Sequence, residues 1–272
     1  MALRTMTPSF FTTGIFFLLY GIYSGLIFDE KFPVILISFV LIHLGADCFD
    51  DFFSYNRDLK NNRVEKLTVS KILSPRQFFY AGLFFYLIGL VLIFIISNLR
   101  DNFIIFYYGI FCAAAAFFYS SPPLALRRYP LAAYPLLSFA IYALMPYVLN
   151  AFYERAYSDL DLIFSILIFS QFTYILCQKD ANYEDEDVNL FVCCGREAGT
   201  AATIIFSAIA VISLFMFVVA LQNYLLFMPA VINMAAKSIN IYQIIKKEND
   251  RSIKLFAVDN GSIALVGIIL LL

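Results

Sequence analysis

Nine apolar stretches, each about as long as a membrane span, follow one another along the 272 residues of this chain. A helix needs about 20 predominantly apolar residues to cross the hydrocarbon core of a bilayer. Such stretches lie at residues 9–28, 33–53, 76–97, 103–119, 131–150, 159–178, 199–221, 223–245 and 253–272. Lipid cannot satisfy open sheet edges, and the alternating pattern of a barrel is missing. The expected fold class is therefore all-α, a multi-span transmembrane bundle of about nine helices.

The composition agrees with a membrane location. Hydrophobic residues make up 62% of the chain and charged residues 14%, with a mean hydropathy of +0.80. A soluble domain has roughly 45–50% apolar and 25% charged residues. Because the spans use nearly the whole chain, we predict one transmembrane domain over residues 1–272. The net charge of −1 gives no support for nucleic-acid binding, so none is expected.

The distribution of basic residues predicts the orientation of the spans. Of the 19 Lys and Arg residues, all but Lys31, Arg100 and Arg155 fall on one side of the predicted spans. Short cytoplasmic loops carry an excess of Lys and Arg. We therefore expect an integral, multi-pass protein with a cytoplasmic N-terminus. The two acidic clusters described next fall on the same cytoplasmic side.

A first acidic cluster, Asp47, Asp50 and Asp51, lies at the end of the second apolar stretch. On a helix these residues share one face, because they are three and four positions apart. Ionisable groups at membrane depth are expensive unless they are paired or metal-bound. A divalent cation such as magnesium turns their mutual repulsion into coordination. The alternative is a solvated acidic helix end.

Two residues flank this cluster. Asp58 is expected in the following loop, where it could equally pair with Arg57 or Lys60. His43 lies one helical turn before Asp47 and could orient its carboxylate, but a histidine satisfied within the core is the alternative.

A second acidic cluster follows the sixth stretch, between residues 178 and 187. If the helix continues, Asp180, Glu184 and Asp187 lie on one stripe with a spacing suited to a metal. Asp185 and Glu186 then point elsewhere. The alternative is a merely acidic loop, but a cytoplasmic loop is ordinarily basic, which favours a function for these carboxylates.

Ordered motifs spread over most of the chain resemble those of one family. Residues 71–77, Lys-Ile-Leu-Ser-Pro-Arg-Gln, and residues 119–129, Tyr-Ser-Ser-Pro-Pro-Leu-Ala-Leu-Arg-Arg-Tyr, carry part of the resemblance. Residues 46–50, Ala-Asp-Cys-Phe-Asp, keep both aspartates of an Asn-Asp-x-x-Asp motif. Asp180 and Asp187 match the ends of Asp-x-x-Asp-x-x-x-Asp, with Tyr183 at its middle position. Together these motifs resemble the UbiA superfamily of intramembrane prenyltransferases.

The resemblance implies an enzyme that transfers an isoprenyl group from an isoprenyl diphosphate to a lipophilic or aromatic acceptor within the membrane. It implies Mg2+ as cofactor and a lipid-open cavity at the cytoplasmic face. The implied metal ligands are Asp47, Asp50, Asp180, Glu184 and Asp187, where Glu184 or Asp185 replaces the missing middle aspartate.

The resemblance also implies roles for residues outside the metal set. The candidates for binding the diphosphate are Arg63, Lys66, Arg127 and Arg128, although membrane topology alone accounts for about half of them. The family's further aspartate falls at Ser54 or Asn56 in this chain. Asp51 and Asp58 are therefore the candidate substitutes and the candidate catalytic bases.

Other function classes stay open at this point. A cation-coupled transporter is the main alternative, although both acidic clusters fall at one membrane face and matching broken helices are not evident. A lipid-alcohol phosphotransferase would carry a longer Asp-Gly-x-x-Ala-Arg pattern, which is missing. The acceptor class is undetermined: an aromatic acid, a glycerol-phosphate lipid and a carotenoid-like chain all remain candidates.

Overall fold

The structure is a computed structural model that describes residues 3–60, 68–69, 71–181, 189–246 and 252–271. Within these residues every regular element is helical. The α-helices are α1 (Leu3–Tyr23), α2 (Phe32–Lys60), α3 (Pro75–Arg100), α4 (Ile104–Ser120), α5 (Pro130–Ser138), α6 (Met145–Phe152), α7 (Asp159–Ala181), α8 (Leu190–Cys194), α9 (Arg196–Ala220), α10 (Phe227–Lys246) and α11 (Ser252–Leu271). The predicted all-α class is confirmed.

Helices occupy each of the nine predicted apolar stretches. Within the described residues, six helical segments are long and apolar enough to cross a membrane, and three shorter apolar helices accompany them. The shorter ones are Thr12–Tyr23, Ile104–Ser120 and Val258–Leu271. The chain is thus an integral, multi-pass membrane protein. The small helix α8 was not predicted.

The chain forms two compact units. The first comprises Met1–Leu18, Gly25–Leu126 and Ala151–Glu154, and the second comprises Leu19–Ser24, Arg127–Asn150 and Arg155–Leu272. The assignment of residues 1–272 to one domain stays a prediction.

Close helix packing in the first unit depends on glycine. A Cβ atom added to Gly45 of α2 would lie 2.2 Å from the ring of Tyr86 and 3.0 Å from the carbonyl oxygen of Gly82, both on α3. Small residues let helix backbones approach closely in membranes. Tyr86 also donates a hydrogen bond to the carbonyl oxygen of Ala113 on α4, at 3.1 Å. These contacts fix the rotation of α2, which carries the first acidic cluster.

One of the family-like motifs is a helix start. Ser74 caps α3: its hydroxyl accepts from the backbone N–H of Gln77, and the Gln77 side chain accepts from the backbone N–H of Ser74. Pro75 occupies the first helical turn, where its missing N–H costs nothing. The Ser-Pro-Arg-Gln sequence is therefore explained by the local chemistry of a capping box.

In the second unit, α7 packs on α9, α9 on α10, and α10 on α11. The predicted span 131–150 is interrupted: α5 contains Pro135, and a π-helical turn, Phe139–Ala143, separates α5 from α6. Proline removes a helical hydrogen bond, and single π turns accommodate such breaks. Both α5 and the π turn pack against α7, which carries Asp180.

Two expectations need correction. Asp58 lies within α2, not in a loop, because no Gly or Pro interrupts residues 51–60, and Arg57 and Lys60 complement the helix dipole in its last turn. Lys237 lies buried inside α10 and is therefore no loop signal of topology. In α11 the polar residues Asp259 and Asn260 are buried, so they face the interior of the second unit.

Candidate active site

The acidic face of α2 extends further than the sequence predicted. Asp47, Asp51, Ser54 and Asp58 recur at intervals of four, three and four residues, which places them on one stripe of the helix. Asp51 and Asp58 are buried, with exposed fractions of 9% and 0%. A buried carboxylate is costly unless neighbouring groups donate hydrogen bonds to it or balance its charge. The side chains around this face are therefore described next.

Serine hydroxyls orient two carboxylates of α2, those of Asp50 and Asp58. Ser120, at the end of α4, donates to Oδ1 of Asp50 at 2.6 Å, and Ser54 donates to Oδ2 of Asp58 at 2.6 Å. The Nε atom of Arg57 lies 3.7 Å from Oδ1 of Asp58. Asp50 and Asp58 are thus held as oriented acceptors.

His43 is a satisfied histidine that also faces the acidic cluster. Its Nδ1 atom lies 2.7 Å from the Thr13 hydroxyl, and its Nε2 atom lies 3.8 Å from Oδ1 of Asp47. The second distance is too long for a hydrogen bond. The contact with Thr13 fixes the imidazole plane, in agreement with a histidine satisfied within the core.

Asp180, the first residue of the second cluster, occupies the last turn of α7 and is buried. Its Oδ2 atom accepts a hydrogen bond from the Tyr134 hydroxyl on α5 and another from the backbone N–H of Leu190, at 2.6 Å. Asn189 caps α8 by accepting from the backbone N–H of Val192 at 2.8 Å. Asp180 therefore links α5, α7 and the start of α8.

Tyr134 and Leu190 were not predicted as part of the site. Tyr134 lies in an apolar stretch and has no spacing relative to Asp180 that would associate the two. Leu190 contributes only its backbone N–H, and every residue except proline has one, so its identity gives no sign of this role.

Four predicted site residues, Arg63, Lys66, Glu184 and Asp187, lie outside the described residues. Arg127 and Arg128 belong to a 3-10 turn, Leu126–Arg128, in which Arg127 is half-buried and Arg128 is exposed. Across the described ranges, the structure brings no three His, Cys, Asp or Glu side chains into a metal-binding group. The predicted ligand set accordingly stays a prediction.

The cysteines are mostly structural. Cys48, Cys112 and Cys177 are buried, as expected for small apolar residues, whereas Cys193 is exposed and Cys194 is half-buried on α8. Burial, and after it the neighbouring Cys193, raises the pKa of the Cys194 thiol.

These features define a multi-pass, all-helical membrane protein with an acidic face on α2 and an anchored, buried carboxylate at the end of α7. The sequence model of the UbiA prenyltransferase family matches residues 7–264, and the chain belongs to this family. No curated protein sequence is significantly similar to it.

Solved structures show the same fold at low sequence identity. The apo structure of a UbiA homolog from Aeropyrum pernix K1 has a TM-score of 0.73 and 15% identity, and the match covers 95% of this chain and 98% of that chain. A UbiA homolog from Archaeoglobus fulgidus bound to Cd2+ has a TM-score of 0.62 and 13% identity, with 98% of each chain covered. A structure of digeranylgeranylglyceryl phosphate synthase has a TM-score of 0.60 and 15% identity, covering 98% of this chain and 99% of that chain.

Proposed function

We propose that this protein is a magnesium-dependent prenyltransferase that transfers an isoprenyl group from an isoprenyl diphosphate to a lipophilic or aromatic acceptor in the membrane. The observation that carries the proposal is the stripe of carboxylates on α2, two of them buried, at the end of a membrane span in a member of the UbiA prenyltransferase family. Carboxylates in such a place are costly to keep and mark functional sites.

The donor set fits magnesium. Carboxylate oxygens are the ligands that hard divalent cations prefer, and the hydroxyls of Ser54 and Ser120 orient two of the carboxylates on α2. Bound magnesium would act as a Lewis acid and stabilise the negative charge that develops on the leaving diphosphate. The proposed ligands are Asp47, Asp50, Asp180, Glu184 and Asp187. The Cd2+-bound homolog from Archaeoglobus fulgidus supports a divalent cation as the cofactor.

Basic residues are proposed to bind the diphosphate. Arg127 and Arg128, together with Arg63 and Lys66, would donate charge-assisted hydrogen bonds to phosphate oxygens. Arginine suits this task because its planar group matches two phosphate oxygens at once. The N-terminus and the site are proposed to face the cytoplasm, on the side where most of the basic residues fall.

An allylic carbocation would need apolar surroundings that exclude water, and the first unit is rich in packed aromatic rings. On the helices of the first unit, Phe49 packs edge-on against Phe117 with 5.1 Å between ring centroids, and Phe53 packs against the same ring at 5.7 Å. Such rings exclude water and can stabilise a cation through their faces.

Asp51 and Asp58 are the proposed bases that accept the proton of the acceptor. Both are buried on the acidic stripe of α2. The Ser54 hydroxyl and the neighbouring Arg57 keep Asp58 oriented as a hydrogen-bond acceptor.

The proposal is tested with purified protein in lipid nanodiscs, supplied with labelled geranyl or geranylgeranyl diphosphate. The acceptor panel contains an aromatic acid, a glycerol-phosphate lipid and a carotenoid-like chain. Magnesium-dependent appearance of label in one acceptor supports the proposal, and the Asp47→Asn variant serves as the inactive control. If no acceptor is labelled although the protein is folded, the proposal is wrong.

A further inference from the structure

Two charged residues are buried inside the membrane-spanning helices of the second unit, away from the acidic motifs. Lys237 in α10 is 1% exposed and Asp259 in α11 is 2% exposed, and the Lys237 ammonium forms an ion pair with Oδ1 of Asp259. Ionisable residues at membrane depth are retained mainly where they serve a function. The prenyl-transfer proposal makes no use of this pair.

Amides from two helices complete the hydrogen bonds of the carboxylate. Asn233 Nδ2 donates to Oδ1 of Asp259 at 2.7 Å, and Gln171 Nε2 donates to Oδ2 at 2.7 Å. With Lys237, Asp259 therefore receives three side-chain donors from α7 and α10. The Asp259 carboxylate therefore has enough hydrogen-bond donors within the protein and does not need a bound molecule to supply more.

The Lys237 ammonium has fewer partners than the Asp259 carboxylate. The Nζ atom of Lys237 lies 4.4 Å from the centroid of the Tyr174 ring on α7, in addition to its ion pair with Asp259. The Tyr174 hydroxyl accepts from Nδ2 of Asn240 at 2.6 Å. An ammonium group has three N–H donors, and a carboxylate and a ring face use two of them. Lys237 therefore retains donor capacity towards an additional oxygen atom.

Polar side chains on three helices continue from this ion pair and form what we call the polar seam. It consists of Gln171, Tyr174 and Gln178 on α7, Asn233, Lys237, Asn240 and Gln243 on α10, and Asp259 and Ser262 on α11. Intervals of three and four residues place the members of each helix on one face. From residue 171 to 178 the seam extends along α7 by roughly 10 Å, at 1.5 Å per residue.

Five amide oxygens of the polar seam lack donors. They are buried, and no described residue donates a hydrogen bond to any of them: Gln171 Oε1, Gln178 Oε1, Asn233 Oδ1, Asn240 Oδ1 and Gln243 Oε1. Buried polar atoms of native proteins nearly always have a partner, because each one left unsatisfied costs a desolvation penalty. Five acceptors in one seam therefore indicate an occupant that supplies donors.

The chemistry of the seam selects its occupant. A bound cation would be repelled by the Lys237 ammonium, and an anion would face five oxygen acceptors. A water molecule can donate two hydrogen bonds and accept others, and buried waters typically make two to four bonds to protein groups. The seam side chains are nearly inaccessible, which suits water better than a larger polar molecule. We propose that the polar seam binds a file of ordered water molecules that donate to the five amide oxygens and accept from Lys237.

Radiolytic labelling tests this proposal without depending on enzyme activity. Purified protein in nanodiscs is exposed to short X-ray pulses in 18O-labelled water, and oxygen uptake is measured by mass spectrometry. Bound water produces hydroxyl radicals locally, so Tyr174 and Cys177 should be labelled although both are buried. Phe164 and Phe217 are the control, because they are equally buried in the same unit and pack against each other at 5.5 Å. Labelling of Tyr174 at least five times that of the two phenylalanines is expected.

Variants localise the water. Asn240→Leu removes one acceptor and fills space, so labelling of Tyr174 should fall at least threefold, whereas Ser238→Leu on the exposed side of α10 should leave it unchanged. Gln243→Leu replaces Asn240→Leu if the latter does not fold. If wild-type Tyr174 is labelled no more than Phe164 and Phe217, or if the seam variants label like the wild type, the seam is dry and the proposal is wrong.

Discussion

Single residues at the candidate site are held in place by neutral hydrogen-bond donors. Ser120 and Ser54 bind the carboxylates of Asp50 and Asp58, and Tyr134 binds that of Asp180. Hydroxyl donors orient a carboxylate without cancelling its charge, which leaves the proposed ligands Asp50 and Asp180 able to attract a divalent cation, whereas Asp58 also lies beside Arg57. The environment of these carboxylates is thus consistent with the proposed metal binding.

Removing the charge of a proposed metal ligand tests its role directly. We expect Asp47→Asn and Asp180→Asn each to lower prenyl transfer by well over tenfold, because the shape is kept while the charge needed by the metal is lost. Glu186→Gln, off the predicted stripe, should cost little. Turnover is measured with labelled isoprenyl diphosphate. Near-normal turnover of Asp180→Asn would mean that Glu184 or Asp185 carries the second motif.

The Tyr134 hydroxyl is expected to position Asp180. Tyr134→Phe removes a hydrogen bond to a charged group, so stability should fall by about 1.5–3 kcal/mol and the magnesium concentration for half-maximal activity should rise. Tyr129→Phe is the matched control, because Tyr129 is exposed just before α5. A change in thermal stability without any change in magnesium dependence would assign Tyr134 a structural role only.

At the scale of secondary-structure elements, the sequence motifs and the packing explain different features. The capping box at Ser74 determines where α3 begins, whereas Gly45 and Gly82 determine how closely α3 approaches α2. A cap acts through neighbouring residues and is readable from sequence. A close approach involves residues far apart in the chain, so it appears only in the folded structure.

The α2–α3 contact should not tolerate a side chain at Gly45. Gly45→Ala places a Cβ atom within 2.2 Å of the Tyr86 ring, so we expect a loss of about 1–3 kcal/mol from overpacking. Gly14→Ala is the control, since nothing lies within 4 Å of an added Cβ atom there. Thermal unfolding in detergent measures both. Equal melting temperatures for the two variants would contradict this account of the packing.

The ion pair between α10 and α11 should be costly to break from one side. Lys237→Met leaves Asp259 buried without its counter-ion, and we expect a loss of about 3–5 kcal/mol. Adding Asp259→Asn to this variant removes the uncompensated charge, so part of the stability should return. A double-mutant cycle from thermal unfolding measures the coupling. Additive losses would show that the two residues do not interact.

At the scale of the whole molecule, the two compact units each contain one of the acidic clusters. Asp47 and Asp50 belong to the first unit and Asp180 to the second. The proposed function uses carboxylates of both clusters as metal ligands. It must therefore be tested with the complete chain.

Diphosphate binding by the intact protein should require a divalent cation. Carboxylates and an anionic ligand repel each other unless a metal neutralises them, so a non-hydrolysable isoprenyl thiodiphosphate should bind with magnesium and only weakly with EDTA. Binding is measured by titration in nanodiscs, and restoring magnesium is the control for irreversible damage. Equal affinity under both conditions would exclude a metal bridge.

The sequence by itself determined the all-α, multi-pass class and the two acidic clusters that follow apolar stretches. It could do so because bilayer thickness fixes span length and because carboxylates at the ends of apolar stretches are conspicuous. Only the tertiary structure decided that Tyr134 and Leu190 bind Asp180 and that Lys237 pairs with Asp259. These features join residues from different helices. No local pattern encodes such contacts, because they depend on how the helices pack and rotate.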